Sequence, residues 1–302
     1  MSAGTRRSKA ERLRRLHQGE AVLVLPNAWD ASNARVFEGC GFSAVATTSA
    51  GIAWALGYPD GERLGRDEMA EVTARVAAAV SVPVTADVEA GYGATPEAAA
   101  ETARAVIGVG AVGLNLEDSV DPTPPGPAAP SGGGNGPSPL LELGAQLEKI
   151  RAVVEAGRKA GVPLVVNART DLYWRSVGEP GRRFGEAVRR ANAFLETGAD
   201  CVFVPGVRDP GTIAALAREI AGPLNVLAGP GVPPVAELAG LGVKRVSVGS
   251  GPARAVMGLL GRIGRELVEE GTYSEISHNA VPYPEANALF ARAPEGDERR
   301  GG

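Results

Sequence analysis

The chain has 302 residues, enough for one large core, and a single barrel of about 250 residues with terminal additions fits without a second domain. Hydrophobic residues make up 44% and charged residues 22%, and the formal net charge of −4 argues against nucleic acid or an anionic membrane as partner. No run approaches the roughly 18 consecutive apolar residues of a membrane span, and the N-terminus lacks the apolar stretch of a secretory signal.

Residues 1–20 read as a short helix, with Arg6, Arg7, Lys9, Arg12, Arg14 and Arg15 as its solvated basic face. Eight short apolar runs follow, each trailed by helix-compatible sequence: 21–27, 43–49, 83–89, 111–117, 163–169, 201–205, 223–228 and 245–249. Such unbroken apolar runs are the mark of parallel strands buried on both faces. Gly41, Gly110, Gly161, Gly198, Gly222 and Gly242 stand just before strands, where a helix end needs a left-handed residue. Thr95-Pro96 and Asp209-Pro210 supply an N-cap followed by proline at the first helical position.

Eight βα units close as a (β/α)₈ TIM barrel over residues 21–270, leaving 271–302 as a C-terminal helical extension. Leu289 and Phe290 in that extension need a surface, either the barrel or a neighbouring subunit. A doubly wound open sheet is less favoured, because residues 25–30 read Leu-Pro-Asn-Ala-Trp-Asp and hold no glycine-rich turn. Cys40 and Cys201 are expected as buried free thiols, which suits a reducing cytoplasm. The only histidines, His17 and His278, lie outside the strands, which excludes a His-rich zinc site or a Ser-His-Asp triad within the barrel. Residues 119–139, rich in Pro and Gly, follow the fourth strand at the catalytic end and are expected to act as a lid.

The chemistry of a barrel belongs to polar residues at the C-terminal ends of its strands. Asp87 and Glu89 end strand three on one side of the chain, Glu117 ends strand four, and Asp60 follows strand two. Four acids meeting at one mouth call for a cation, and an all-oxygen set suits Mg²⁺ or Mn²⁺. Arg169 at the end of strand five is a candidate bidentate carboxylate clamp, and Asn225 could hold a second substrate oxygen. Thr47, Thr48 and Ser49 offer hydroxyls and backbone N–H groups to an oxyanion. Tyr92 is a candidate proton donor, so Asp60, Tyr92, Glu117 and Arg169 form the expected catalytic group. A Lewis acid, an anion clamp and an oxyanion cradle together suit a small 2-oxo or 2-hydroxy carboxylate that passes through an enolate.

With these residues in view, the chain resembles the isocitrate lyase/phosphoenolpyruvate mutase superfamily from about Leu23 to Phe290. The resemblance is carried by Pro26 through Asp30, Leu56 through Asp60, Asp87 through Gly93, Asn115 through Asp118, Asn167 through Asp171 and Pro282 through Phe290. It implies a barrel whose last helix swaps between subunits of a homodimer or homotetramer. It also implies Mg²⁺ near Asp60, Asp87, Glu89 and Glu117, with Arg169 on the substrate carboxylate and Asn225 nearby. The lyase branch carries Cys and His on the loop after strand four, but 119–139 contains no Cys, His or Lys. Residues 204–207 read Val-Pro-Gly-Val where that branch has a glutamate, so isocitrate or methylisocitrate cleavage is not expected. The mutase branch has an Asn-Ser pair on the same loop, echoed by Asn135 and Ser138. The leading expectation is a carbon–carbon lyase or hydrolase. Carbon–phosphorus chemistry of the phosphonopyruvate type, or a barrel that binds a metabolite without turnover, are the alternatives.

Overall fold

A computed structural model describes residues 2–120 and 139–291. The expected lid, with Asn135 and Ser138, falls almost entirely outside the described residues. The chain opens with α1 (Ala3–Gln18). The first strand is then interrupted at Pro26, which has no N–H to give a neighbour. Its first half, β1 (Leu23–Leu25), pairs with the last strand, and its second half, β2 (Asn27–Ala28), pairs with the next strand in sequence.

After α2 (Ala31–Gly39) come β3 (Val45–Thr47), the short α3 (Ser49–Ala55) and α4 (Arg66–Ala79). Regular alternation follows: β4 (Val84–Asp87), α5 (Pro96–Gly108), β5 (Gly113–Glu117), α6 (Leu143–Lys159), β6 (Val165–Arg169) and α7 (Pro180–Glu196). The ring is completed by β7 (Cys201–Phe203), α8 (Pro210–Glu219), β8 (Leu224–Leu227), α9 (Val235–Gly240) and β9 (Arg245–Ser247). All pairings are parallel, in the order β1-β9-β8-β7-β6-β5-β4-β3-β2, so the split strand closes an eight-stave α/β barrel. Three helices follow: α10 (Gly251–Glu269), α11 (Ser274–Asn279) and α12 (Tyr283–Ala291).

The local signals act as read. Thr95 and Asp209 accept N-cap hydrogen bonds from Ala98 and Thr212. Five of the six glycines named above take a left-handed φ, but Gly222 does not. A Cβ at Gly222 would lie 2.9 Å from both Leu195 methyls, so close packing explains that residue instead.

The N-terminal helix keeps part of the expected solvated basic face, with Arg7, Arg12 and Arg15 exposed, and departs from it on the other side. Ala10, Leu13 and His17 are buried. Lys9 donates to the carbonyls of Val80 and Val82, and Arg14 pairs with Asp200 at 2.6 Å. These partners all precede strands, so α1 caps the floor of the barrel. Gly113 leaves it room, since a Cβ there would stand 2.9 Å from Leu13. Lys9 and Arg14 turn inward because their long stems pack while their heads meet carbonyls that precede strands and one carboxylate. A second correction concerns the thiols. Cys201 is buried, but Cys40, at the end of α2, is exposed.

Among the described residues no helix is long and apolar enough to cross a membrane. The C-terminal helices are thinly packed. α10 buries only Ala253 and exposes Val256, Met257, Leu260 and Val268, while α12 rests on α2, with Leu289 3.8 Å from a Cβ built at Gly39.

Candidate active site

The strand C-terminal ends surround a cavity of about 120 Å³, suited to a small acid rather than a nucleotide-sized ligand. Thr48, Ser49, Asp60, Asp87, Glu89, Glu117 and Arg169 all line it. Asp87 is held on both oxygens. Its Oδ2 accepts from the Ser49 backbone N–H at 3.1 Å and the Ser49 hydroxyl at 2.9 Å, and its Oδ1 accepts from Asn115 Nδ2 at 3.3 Å.

Glu89 lies just past β4 with φ +50°, a left-handed backbone that non-glycine residues rarely adopt. The strain has visible restraints. The Glu62 N–H donates to Glu89 Oε2 at 2.6 Å, and the Tyr92 N–H returns a bond to Glu62 Oε1 at 2.9 Å. From α6, the buried Lys149 donates to the carbonyls of Ala90 and Gly93. This lock joins the loop after β4 to the one that carries Asp60.

Burial and the neighbouring Asp87 raise the Asp60 carboxyl to about 6. Burial, with Asp60 and Asp87 close by, raises Glu89 to about 8. Burial also raises Glu117, against the pull of Arg169. Burial works against the charge of Arg169, yet Asp171 and Glu117 outweigh it and hold the guanidinium above its ordinary value. Arg169 meets Glu117 at 2.8 Å, grips Asp171 through Nε at 2.6 Å and Nη2 at 3.1 Å, and lies 5.6 Å from the centre of the Phe203 ring. Its plane is thereby fixed before any ligand arrives.

Three expected residues sit off the cavity wall. The Thr47 hydroxyl accepts from the Asp87 N–H at 2.8 Å and so serves the strand. Asn225 is fully buried and accepts from Ser247 at 3.1 Å. The Tyr92 hydroxyl is buried without a partner, and burial followed by the charge of Glu89 raises its phenol above the ordinary range. Conversely, Asn27, Asn115, Asp171, Trp174 and Arg175 line the cavity without having been expected there. Asp171, Trp174 and Arg175 follow the end of β6, while Asn27 and Asn115 are polar residues within strands. Asn27 accepts from the Val248 and Gly249 N–H groups, which stitches the first stave to the last connection.

Buried carboxyls that repel one another are the setting a hard cation stabilises, and the donor set here is all oxygen. Among the described residues, no three His, Cys, Asp or Glu side chains come together closely enough to enclose an ion. A hydrated ion held directly by one or two carboxylates fits this arrangement, and that is how Mg²⁺ ordinarily binds.

Residues 13–268 match the family model described as phosphoenolpyruvate phosphomutase. The chain is 33% identical to an uncharacterised protein of Mycobacterium tuberculosis, over 90% of this chain and 93% of that one. It is 29% identical to an oxaloacetate decarboxylase of Rhodopseudomonas palustris, over 75% and 73%. Among solved structures, a Burkholderia cenocepacia protein provisionally named a lyase/mutase superposes with TM-score 0.83 at 36% identity, covering 96% of this chain and 98% of its own. Oxaloacetate acetylhydrolase, solved with the inhibitor 3,3-difluorooxalacetate, superposes with TM-score 0.80 at 25% identity over 94% and 93%. The barrel, the acids around its mouth and these matches together establish that the chain belongs to the PEP mutase/isocitrate lyase superfamily.

Proposed function

We propose that this protein is a Mg²⁺-dependent carbon–carbon lyase or hydrolase that acts on a small 2-oxo or 2-hydroxy carboxylate. The observation that carries the reading is a guanidinium held rigidly between Glu117 and Asp171 on the wall of a small cavity rich in carboxyls. In this reading Asp87 would hold the ion directly, and Asp60, Glu89 and Glu117 would act mainly through its water. Mg²⁺, when bound, supplies positive charge to the oxygens of a 2-oxo acid and of the enolate that cleavage leaves.

The chain's own residues do the rest. Arg169 orients the substrate carboxylate, and its fixed plane limits the geometries that the carboxylate can take. Trp174, Phe203 and Leu227 give the cavity an apolar wall that thins the water around the reacting bond. Among the described residues the side chains lining the cavity include no Cys, His, Lys or Tyr, which favours a carboxyl, a serine or threonine hydroxyl or water for proton transfer. Tyr92, set back from the wall, is left out of the proposal. The oxaloacetate decarboxylase and the oxaloacetate acetylhydrolase among the relatives favour cleavage beside a 2-oxo acid.

The test is a product assay with Mg²⁺ over a panel of 2-oxo and 2-hydroxy di- and tricarboxylates, with phosphonopyruvate alongside. Release of pyruvate, glyoxylate or oxalate, abolished by EDTA and restored by Mg²⁺, is the expected result. Phosphate release from phosphonopyruvate alone would move the protein to carbon–phosphorus chemistry. Oxalate binding without turnover of any compound would make it a metabolite-binding barrel.

A further inference from the structure

The interior of the ring holds a charge that the proposed chemistry leaves unused. Arg245, at the start of β9, is completely buried. Among the described residues no carboxylate comes within ion-pair distance of it, and its Nε has no hydrogen-bond partner. Burial lowers its pKa, as expected for a guanidinium out of water. Barrel interiors are ordinarily filled with branched aliphatic side chains. A lone buried guanidinium is a costly replacement for one, since its desolvation is not offset by an opposite charge.

Its contacts run upward to the cavity. Arg245 Nη2 donates to Asn115 Oδ1 at 3.1 Å, and Asn167 Nδ2 donates to the same oxygen at 2.8 Å. With both of these donors on its oxygen, the Asn115 amide has one way round, with Nδ2 facing Asp87 Oδ1 at 3.3 Å. Below, Arg245 Nη1 meets His17 Nε2 at 3.3 Å, while His17 Nδ1 lies 2.8 Å from the Leu13 carbonyl. A proton on Nδ1 serves that carbonyl and leaves Nε2 as the acceptor for Arg245. The line runs from the floor helix through the side chains of His17, Arg245 and Asn115 to the Asp87 carboxylate, and from Arg245 to Asn115 it crosses the ring between staves that are not neighbours.

We infer that Arg245 is a positioning residue. Held from below by His17, it fixes the orientation of Asn115, and Asn115 in turn fixes the Asp87 carboxylate that faces the cavity. The inference rests on the reading of Asp87 as the direct cation-binding carboxylate. Groups that orient a metal-binding side chain typically change metal affinity 10–100-fold when altered.

The test is Mn²⁺ binding to the full chain without substrate, followed by the loss of the free-ion electron paramagnetic resonance signal. Arg245→Lys keeps the charge but cannot reach both His17 and Asn115 as a fork does. Asn115→Ser keeps the charge of Arg245 and removes the amide. Each is expected to weaken Mn²⁺ binding about tenfold. The double variant is expected to be no weaker than the weaker single, because both remove one shared device. Thermal midpoints of the metal-free variants separate this from general loosening, since a merely structural Arg245 would shift the midpoint and leave Mn²⁺ affinity alone. Wild-type Mn²⁺ affinity in either folded single variant, or losses that multiply in the double, would overturn the inference. Asp87→Asn, measured alongside, is expected to lose the site. If it binds as wild type does, the reading of Asp87 itself is wrong and the inference falls with it. If Asp87→Asn loses the site while Arg245→Lys keeps it, only the positioning role is lost.

Discussion

Arg169 shows how one side chain can be both a structural ion pair and a ligand clamp. Two of its hydrogen bonds go to Asp171, it pairs with Glu117 at 2.8 Å, and the ring of Phe203 lies against one face. Lysine would keep the charge but lose the fork, so Arg169→Lys is expected to lower kcat/KM by about two orders of magnitude through misplaced substrate. Steady-state kinetics on the substrate found in the product panel would measure it, and an unchanged kcat/KM would remove Arg169 from the clamp. Gly51 makes a different kind of demand. A Cβ there would stand 2.6 Å from Thr48 Cγ2 and 3.0 Å from Trp29 Cβ. Gly51→Ala is therefore expected to destabilise the fold by about 1–3 kcal/mol, seen as a lower urea midpoint.

Among the elements, the helix that caps the floor is the one whose role was least legible beforehand. A run of arginines and a lysine reads as a wet surface, and nothing in that spacing shows that Lys9 and Arg14 reach strand-end carbonyls 71 and 150 residues away. The staves themselves were legible because strands buried on both faces are mostly apolar, with their charges at one end, so each stood out as an apolar run. Asp87, Glu89, Glu117 and Arg169 were legible because each ends or closely follows a strand whose direction was already known. The bond from Arg245 to Asn115 was not, since it depends on two side chains meeting across a closed ring. The exchange between Glu62 and Glu89 was hidden too, as both take left-handed backbones that no glycine advertises.

His17 gives the floor helix a measurable pH signature. Burial, with the charge of Arg245 second, lowers its imidazole to about 4 from an ordinary 6.5. The folded value lies below the unfolded one, so the unfolded chain takes up the extra proton as pH falls from 6.5 towards 4. The contribution is intact above that window and is lost on descending through it. Between pH 7 and pH 5 the stability is expected to drop by about 2 kcal/mol from this group, read as a shift in urea midpoint. His17→Gln should flatten that part of the profile, and a variant that retains the full drop would assign it elsewhere.

On the scale of the whole molecule, most of the large apolar side chains exposed among the described residues lie on the C-terminal helices and the turns between them. Val256, Met257, Leu260, Leu267 and Val268 on α10 and Tyr273, Tyr283 and Phe290 beyond it are all exposed. Patches of this kind ordinarily mark protein–protein contacts. We propose that the chain is a homodimer or homotetramer held through this arm, the arrangement that the family resemblance implies. Light scattering coupled to gel filtration is expected to give a multiple of the chain mass, and Leu260→Glu with Val268→Glu to give the single chain. A wild-type chain that elutes as one copy would dispose of the idea.

The stave broken at Pro26 has a consequence for how the molecule is made. One half of it must wait for the residues around Arg245 before its outer edge finds a partner, more than two hundred residues later in synthesis. Until then that edge of β1 lacks its partner, and the ring that the floor helix covers is incomplete. Closure thus joins the first stave to the last. A chain that ends before the final stave lacks the strand that closes the ring.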